Sequence, residues 1–217
     1  MENETKDKVL DILERTFCII DKCYEFNDEA LGKTDFSRVG SRIIFPCYSD
    51  RGRRISEQEL RFVFIEQFIQ YCKEKQWDAY YSVETPTKWK YRFSRTPKPH
   101  KTNEGDGQSA MIDVCIHNCH GDRICLIEFK AGNPNKFCYI KDLVKLSEEG
   151  GLCFFVQLLE RQDSSTNGSI LEKIETDIKG TNYIRHTIAS DYHGTEYYSK
   201  EEIDKEGWKA VPRTNPY

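Results

Sequence analysis

The stretch from residue 112 to residue 132, IDVCIHNCHGDRICLIEFKAG, carries two different sets of residues that could do chemistry. Asp113, Glu128 and Lys130 are the residue types of a metal-dependent hydrolytic site, in which carboxylates hold a divalent cation and an amine lies beside it. The same stretch also contains residue types that bind zinc, namely Cys115, His117, Cys119, His120 and Cys125. The two sets predict different proteins.

The acidic residues are predicted to face each other across a β-hairpin. If CHGD forms the turn, Asn118 pairs with Arg123 and Asp113 lies directly opposite Glu128. Lys130 is two residues farther along its strand and shares that face. Directly opposed Cβ atoms lie about 5 Å apart, where two like charges repel each other. A divalent cation such as Mg²⁺ would convert this repulsion into coordination.

The zinc alternative has an incomplete ligand pattern. The spacing C-x3-C-x5-C has no second CxxC half. Strand alternation puts Cys115 and His117 on one face, whereas Cys119 and His120 fall in the turn, so a single tetrahedral site is hard to build. Cys125 is expected to pack in the core. A structural zinc, and with it a zinc-dependent regulatory protein, stays as an alternative.

Helices and strands are predicted on both sides of this hairpin from the periodicity of apolar residues. In ISEQELRFVFIEQFIQYCKEK, Ser56 caps the helix and Glu59 reaches back to it, which is a capping box. The predicted elements are helices 4–25, 57–75, 138–149 and 169–179 and strands 78–86, 88–93, 109–117, 123–130, 151–160 and 182–190. A loop is predicted from Thr96 to Gly107 because proline, glycine and charge dominate there.

A helix with an acidic start, a strand carrying Asp and a following strand carrying Glu-x-Lys resemble the PD-(D/E)XK nuclease superfamily over roughly residues 56–160. The resemblance implies an α/β, restriction-endonuclease-like fold, with a mixed central sheet of four or more strands flanked by helices and an extra N-terminal helix. It implies that Asp113 and Glu128 are ligands of Mg²⁺, with Mn²⁺ as a substitute, and that the carbonyl of Phe129 is a further ligand. Lys130 would position or activate the attacking water.

The resemblance also implies a further catalytic glutamate on the helix that precedes the first strand. Glu57 is the preferred candidate, because capping already explains Glu59 and Glu57 lies on the face of the helix that turns inward. Glu66 and Glu84 are the alternatives. The chain departs from the superfamily pattern just before Asp113, where Met-Ile stands in place of the proline that gives the superfamily its name.

A basic segment precedes the hairpin. Residues 88–101, KWKYRFSRTPKPHK, contain six lysines and arginines and no acidic residue. Lys88, Lys90 and Arg92 alternate with aromatic residues, which predicts a strand that holds a nucleic-acid backbone. An exposed, solvated strand face is the alternative. The formal net charge of −4 hides this segment, since residues 31–140 carry 18 Lys+Arg against 13 Asp+Glu.

Length and composition predict one globular chain in two parts. With 217 residues, 38% of them hydrophobic, the chain can bury a core. Residues 1–40 are expected to be an N-terminal helical appendage, and residues 41–217 the nuclease-like domain. The charged start and the lack of a long apolar run predict a cytoplasmic protein with no membrane span. The nine cysteines are expected to stay reduced.

We therefore expect a Mg²⁺-dependent phosphodiesterase, a nuclease acting on DNA, with nucleic acid as its partner and a homodimer as one option. Glu57, Asp113, Glu128 and Lys130 are the predicted catalytic residues. The alternative is a catalytically inactive nucleic-acid-binding or protein-interaction module on the same scaffold. RNA as substrate, and cleavage within a strand or from its end, remain open.

Overall fold

A computed structural model gives the fold and describes residues 2–26, 35–48, 52–92, 100–102, 107–174, 177–188, 193–206 and 213–214. Within these ranges the helices are α1 (Glu2–Phe26), α2 (Glu57–Lys75), α3 (Lys136–Glu149), α4 (Ser164–Ile174) and α5 (Lys200–Glu206). The strands are β1 (Cys47–Tyr48), β2 (Gly52–Arg53), β3 (Ala79–Arg92), β4 (His100–Thr102), β5 (Gln108–Asn118), β6 (Arg123–Ala131), β7 (Cys153–Leu159), β8 (Asn182–Thr187), β9 (Gly194–Tyr198) and β10 (Arg213–Thr214).

Eight of these strands form one mixed sheet in the order β10-β9-β8-β7-β6-β5-β3-β4. The six strands of five or more residues make up its body, and the short β4 and β10 extend its two edges. β6, β7 and β8 run parallel, and the other neighbours are antiparallel. The predicted α/β class, with a mixed sheet of four or more strands, flanking helices and an N-terminal helix, is confirmed.

Helices cover both faces of the sheet. On one face, Leu13 of α1 and Phe64 of α2 share a buried cluster with Phe129 of β6. On the other face, α3, α4 and α5 pack over Phe155 of β7 and its neighbours. All seven residues of β7 are buried, as expected for a central strand with parallel neighbours and helices on both sides. The segment 1–40, expected to be an appendage, thus supplies α1 to the same core as α2.

α2 begins where the capping pattern predicts. Ser56 has extended backbone angles, and its side chain accepts a hydrogen bond from the Glu59 N–H at 3.5 Å. The Glu59 carboxylate does not complete a capping box, since it pairs with Arg54. The helix ends at Lys75, where Gln76 adopts left-handed backbone angles. Glu57 therefore lies in the first turn of a helix whose start is fixed by its cap.

The predicted elements differ from the structure mainly in three places. The strands predicted at 78–86 and 88–93 are one strand, β3, because Pro86 pairs with Met111 and a register shift between Pro86 and Lys90 absorbs the irregularity. α4 starts before the predicted residue 169, because Asp163 accepts a hydrogen bond from the Thr166 N–H at 2.6 Å and caps the helix there.

The third error lies after residue 190, where the sequence predicted no element and the structure adds β9, α5 and β10. The predicted loop at 96–107 falls mostly outside the described residues, which contain only β4 and residue 107 of it. None of the described helices combines the length and the apolar character needed to cross a membrane.

Candidate active site

β5 and β6 form the predicted hairpin, and their pairing stops beside Asp113. Val114 pairs with Ile127 and is the last pair before the site, so Asp113 falls opposite Glu128 in the predicted register. At this point the Phe129 N–H donates a 2.8 Å hydrogen bond to Asp113 Oδ2. A side chain thus takes the place of a backbone acceptor where the two strands separate. The bond fixes the Asp113 carboxylate next to β6.

The turn of the hairpin differs by one residue from the prediction. We expected Asn118 to pair with Arg123, whereas the structure pairs His117 with Arg123 and leaves Ile124 as a bulge. The Asn118 side chain accepts a hydrogen bond from the Asp122 N–H at 2.9 Å, so it closes the turn itself. The bulge compensates for the shorter pairing, and the register beside the acidic residues is the predicted one.

Lys130 and Glu57, both predicted site residues, are in contact. Lys130 Nζ lies 3.3 Å from Glu57 Oε1 and 2.7 Å from Asp142 Oδ2. The first turn of α2, the end of β6 and the middle of α3 therefore meet at one ammonium group. Of the two alternatives to Glu57, Glu66 accepts a hydrogen bond from the Ser41 hydroxyl, and Glu84 pairs with an arginine.

Two residues of α3, Asp142 and Lys145, complete the cluster and were missed in the sequence. Lys145 Nζ lies 2.6 Å from Glu128 Oε1 and 3.0 Å from Asp142 Oδ1, and it donates to the Met111 carbonyl at 2.7 Å. Only 3% of Lys145 is exposed. An ammonium is buried only when it is paired and hydrogen-bonded, and these three contacts meet that need.

A third cation, Arg61 of α2, lies between Asp113 and Glu84. Arg61 Nη1 is 3.6 Å from Asp113 Oδ1 and also pairs with Glu84. Glu84 has a φ of 47°, a value that residues other than glycine rarely adopt. Its neighbours Val83 and Thr85 pair with β5 on either side of Asp113, so the strained residue lies beside the site.

The pKa values of both predicted metal ligands are raised. For Glu128, burial has the largest effect and the charge of Asp142 adds to it, whereas Lys145 opposes them, and the pKa ends well above its ordinary value. Burial also raises the pKa of Asp113, although the hydrogen bond from the Phe129 N–H lowers it in part. Burial is the main cause of both shifts, so an added cation would stabilise the ionised forms of both carboxylates.

The two buried lysines keep their charge at neutral pH. Burial lowers the pKa of Lys130, but the charges of Asp142 and Glu57 outweigh it, and the net shift is upward. In the same way, Glu128 and Asp142 raise the pKa of Lys145 against the effect of burial. An ammonium with a raised pKa donates hydrogen bonds and stabilises negative charge, and it does not take up a proton. Lys130 is therefore suited to positioning a water, and unsuited to acting as a general base.

The oxygen donors of this cluster fit a hard divalent cation of the Mg²⁺ type. The carboxylates gathered around the two lysines are those of Glu57, Asp113, Glu128 and Asp142. No three of them bring their oxygens within 4.8 Å of one another in the part of the chain that the structure describes. The Lys145 ammonium, in contact with both Glu128 and Asp142, accounts for part of that separation. A cation that uses both carboxylates has to displace it.

The alternative zinc ligands in the hairpin are dispersed. Cys115 and Cys125 are both buried, but they belong to the two different clusters on opposite faces of the sheet. Cys119 and His120 are exposed in the turn. His117 is hydrogen-bonded to the Ser82 hydroxyl and the Gly121 carbonyl. The hairpin residues therefore do not form a zinc site.

The basic residues of β3 lie at the far end of α3. Lys88 and Lys90 are exposed, and Arg92 is half-buried. The Glu149 carboxylate, at the C-terminus of α3, accepts hydrogen bonds from the N–H groups of Lys88 and Trp89 at 2.8 and 3.2 Å. An open cleft of about 310 Å³ lies beside this strand and is lined in part by Lys88. This strand face is available to a polyanion.

The chain matches no protein-family model, no curated protein and no solved structure. Asp113, Glu128, Lys130 and Glu57 are brought together, and Asp142 and Lys145 join them.

Proposed function

We propose that the chain is a Mg²⁺-dependent nuclease that hydrolyses phosphodiester bonds in DNA, on a scaffold of the restriction-endonuclease-like, PD-(D/E)XK type. The observation that carries the proposal is the separated hairpin, which holds Asp113, Glu128 and Lys130 together in one cluster. Glu57 joins them from α2 and Asp142 from α3. Two strand carboxylates can hold a divalent cation, and a lysine beside them can stabilise developing negative charge, which suits metal-assisted hydrolysis.

Asp113 and Glu128 would hold the cation through their carboxylate oxygens, with the Phe129 carbonyl as a further donor. Mg²⁺, when bound, supplies positive charge for the phosphoryl oxygens and lowers the pKa of a water bound to it. Lys130 stays protonated between Glu57 and Asp142, so it donates a hydrogen bond to a water or a phosphate oxygen. Its two acidic partners fix the position of the ammonium.

The basic face of β3 supports nucleic acid as the substrate. Lys88 and Lys90 project from a strand that pairs with β5, the strand carrying Asp113. Glu149 holds the backbone of β3 at Lys88, so the lysine side chains start from a fixed position. Their contacts with phosphates would depend on charge and not on base sequence. Mn²⁺ is expected to replace Mg²⁺, because both accept carboxylate and water oxygens.

A second candidate function, a binding module without catalysis, is favoured by one contact. Lys145 already neutralises Glu128 and Asp142, at 2.6 and 3.0 Å. If the ammonium stays there, the cluster serves as a buried ionic core and the basic strand binds nucleic acid without cutting it. The two functions differ in whether Mg²⁺ produces turnover.

The test is a cleavage assay on plasmid, linear duplex, single-stranded DNA and RNA, with Mg²⁺, Mn²⁺ or EDTA. We expect cleavage of DNA that EDTA abolishes. Asp113→Asn keeps an acceptor for the Phe129 N–H but loses the charge, and it should lower the rate by about 100-fold or more.

The matched control is Lys75→Glu, on the exposed last turn of α2, which should cleave as the wild type does. Cleavage by Asp113→Asn at the wild-type rate would refute the site. Binding of DNA without any metal-dependent turnover would support the second candidate.

A further inference from the structure

Another group of potential metal ligands joins α1 to the C-terminal strands. It consists of Asp21 of α1, His186 of β8 and His193, which directly precedes β9, and their donor atoms all lie within 4.8 Å of one another. His186 Nε2 is 2.8 Å and His193 Nε2 is 3.4 Å from Asp21 Oδ1. This is the only group of three such residues with this spacing in the part of the chain that the structure describes.

These distances are close to those of a tetrahedral site. With bonds of about 2.0–2.1 Å from zinc to nitrogen and oxygen, two neighbouring ligand atoms of a tetrahedron lie about 3.4 Å apart. The distance from His193 to Asp21 already has this value. The distance from His186 to Asp21 is that of a hydrogen bond, and it has to lengthen by less than about 1 Å to admit an ion.

His186 is oriented as a metal-binding histidine is. It is only 3% exposed, and its ring stacks on Phe17 with the centroids 4.5 Å apart and an interplanar angle of 9°. Its Nδ1 is 2.9 Å from the Thr195 hydroxyl, a hydrogen bond that fixes which way the ring faces. In metal sites the other ring nitrogen of a bound histidine is almost always hydrogen-bonded as well, which fixes the orientation of the ring. Nε2 is thereby left to face Asp21.

We propose that Asp21, His186 and His193 bind one Zn²⁺ ion. Two imidazoles and one carboxylate suit zinc, whereas Mg²⁺ prefers an all-oxygen shell. The His193 side chain is 54% exposed, so solvent reaches the group and a water can complete the tetrahedron. This site is separate from the hairpin cluster and does not depend on the proposed nuclease function.

The ion would fasten the N-terminal helix to the end of the sheet. α1 already contacts α5 through ion pairs of Lys6 with Glu201 at 3.1 Å and of Lys200 with Glu2 at 2.5 Å. Both pairs are at the surface and contribute little on their own. An ion held by Asp21 and two histidines joins residues far apart in the sequence, so its binding should stabilise the folded chain.

The experiment is a titration of the chelator-treated full chain with Zn²⁺, followed by calorimetry and by thermal unfolding. We expect one Zn²⁺ per chain and a higher melting temperature with zinc. His193→Ala changes an exposed side chain, so it should fold, and it should bind zinc about tenfold more weakly or worse. The matched control is His120→Ala, another exposed histidine, which should bind zinc as the wild type does.

The variant Asp21→Asn distinguishes the role of Asp21 as a zinc ligand from its role as a hydrogen-bond acceptor. The amide oxygen can still accept a hydrogen bond from His186, but it is a poor zinc ligand, so the variant should fold and lose zinc affinity. Undiminished zinc binding in Asp21→Asn or in His193→Ala would overturn the proposal, as would a wild type that binds no zinc at micromolar concentrations. Asp113→Asn should bind zinc normally. Loss of zinc binding in this variant would show that zinc binds at the hairpin, and it would refute the site proposed here.

Discussion

Lys130 of the sheet and Lys145 of α3 share one carboxylate, that of Asp142. Asp142 Oδ2 is 2.7 Å from the Lys130 ammonium, and Oδ1 is 3.0 Å from that of Lys145. The two lysines differ in their remaining acidic partner, which is Glu57 for Lys130 and Glu128 for Lys145. Removing Lys130 therefore leaves Glu57 without this ion pair, whereas removing Lys145 leaves Glu128 without its own. The two changes have different expected effects.

Lys145→Met should destabilise the metal-free protein and increase its response to Mg²⁺. The change leaves Glu128 without its ion pair, and an unpaired buried charge costs about 3–5 kcal/mol. It also removes the cation that competes for Glu128, so Mg²⁺ should bind about tenfold more tightly or better. Urea unfolding with and without Mg²⁺ measures both effects.

Lys141→Met is the control for that variant. Lys141 is exposed on the same helix, one turn before Lys145, so its loss should change neither the stability nor the Mg²⁺ response appreciably. If Mg²⁺ stabilises Lys145→Met no more than the wild type, Lys145 does not occupy the place of a cation.

Lys130→Met should lower turnover with little change in DNA binding. The Lys130 ammonium lies inside the cluster, where it would stabilise charge that develops during hydrolysis, and losing one such donor lowers the rate by about 100- to 1,000-fold. Lys130→Arg keeps the positive charge but replaces the compact ammonium with a planar guanidinium, so it should retain only part of the wild-type cleavage rate. Single-turnover cleavage separates the chemical step from binding. Equal rates for the wild type and Lys130→Met would leave Lys130 with a structural role alone.

Lys90→Glu should weaken DNA binding and make it less dependent on salt. Lys90 is exposed on β3, and each phosphate contact that is lost lowers the slope of log K against log salt by about 1. The control is the same substitution at a lysine outside β3, Lys75→Glu, which changes the net charge of the protein equally and leaves β3 unaltered. Binding isotherms at several salt concentrations make the comparison. Identical slopes for the two variants would show that β3 is not the binding face.

Phe64→Ala should destabilise the fold by about 3–5 kcal/mol, because it removes a large side chain from a packed core. Phe64 is 0% exposed, and its ring centroid lies 5.4 Å from that of Phe129, next to the site. Phe62→Ala, on the same helix, removes a ring that is 53% exposed and should change the free energy of unfolding by less than about 1 kcal/mol. Urea denaturation of both variants tests this, and equal losses would contradict the packing described for α2.

The hairpin could be predicted from the sequence because its signal is local. The apolar residues of 112–116 and 124–127 and a short turn between them fix the register, and the register alone puts Asp113 opposite Glu128. The one-residue error at the turn arises from the Asn118 side chain, whose hydrogen bonds inside the turn have no signature in apolar periodicity.

The rest of the cluster could not be predicted with the same reasoning. Lysines on a helix are usually solvated, so the sequence alone gave no reason to expect the burial of Lys145. A signal was present in α3, since Asp142 lies three residues after Tyr139 and four before Leu146, on the apolar stripe itself. The group of Asp21, His186 and His193 had no such signal, because its members are brought together only by the tertiary fold.

The carboxylate of Glu149 has a mechanical consequence for the whole site. Glu149 is the last residue of the helix that carries Lys145, and its carboxylate accepts hydrogen bonds from the backbone N–H groups of Lys88 and Trp89 in β3. A polyanion that binds the lysines of β3 and shifts this strand would therefore also shift α3. The Lys145 ammonium, which pairs with Glu128, would move with that helix. We expect the affinities for DNA and for Mg²⁺ to be coupled, each ligand strengthening the binding of the other.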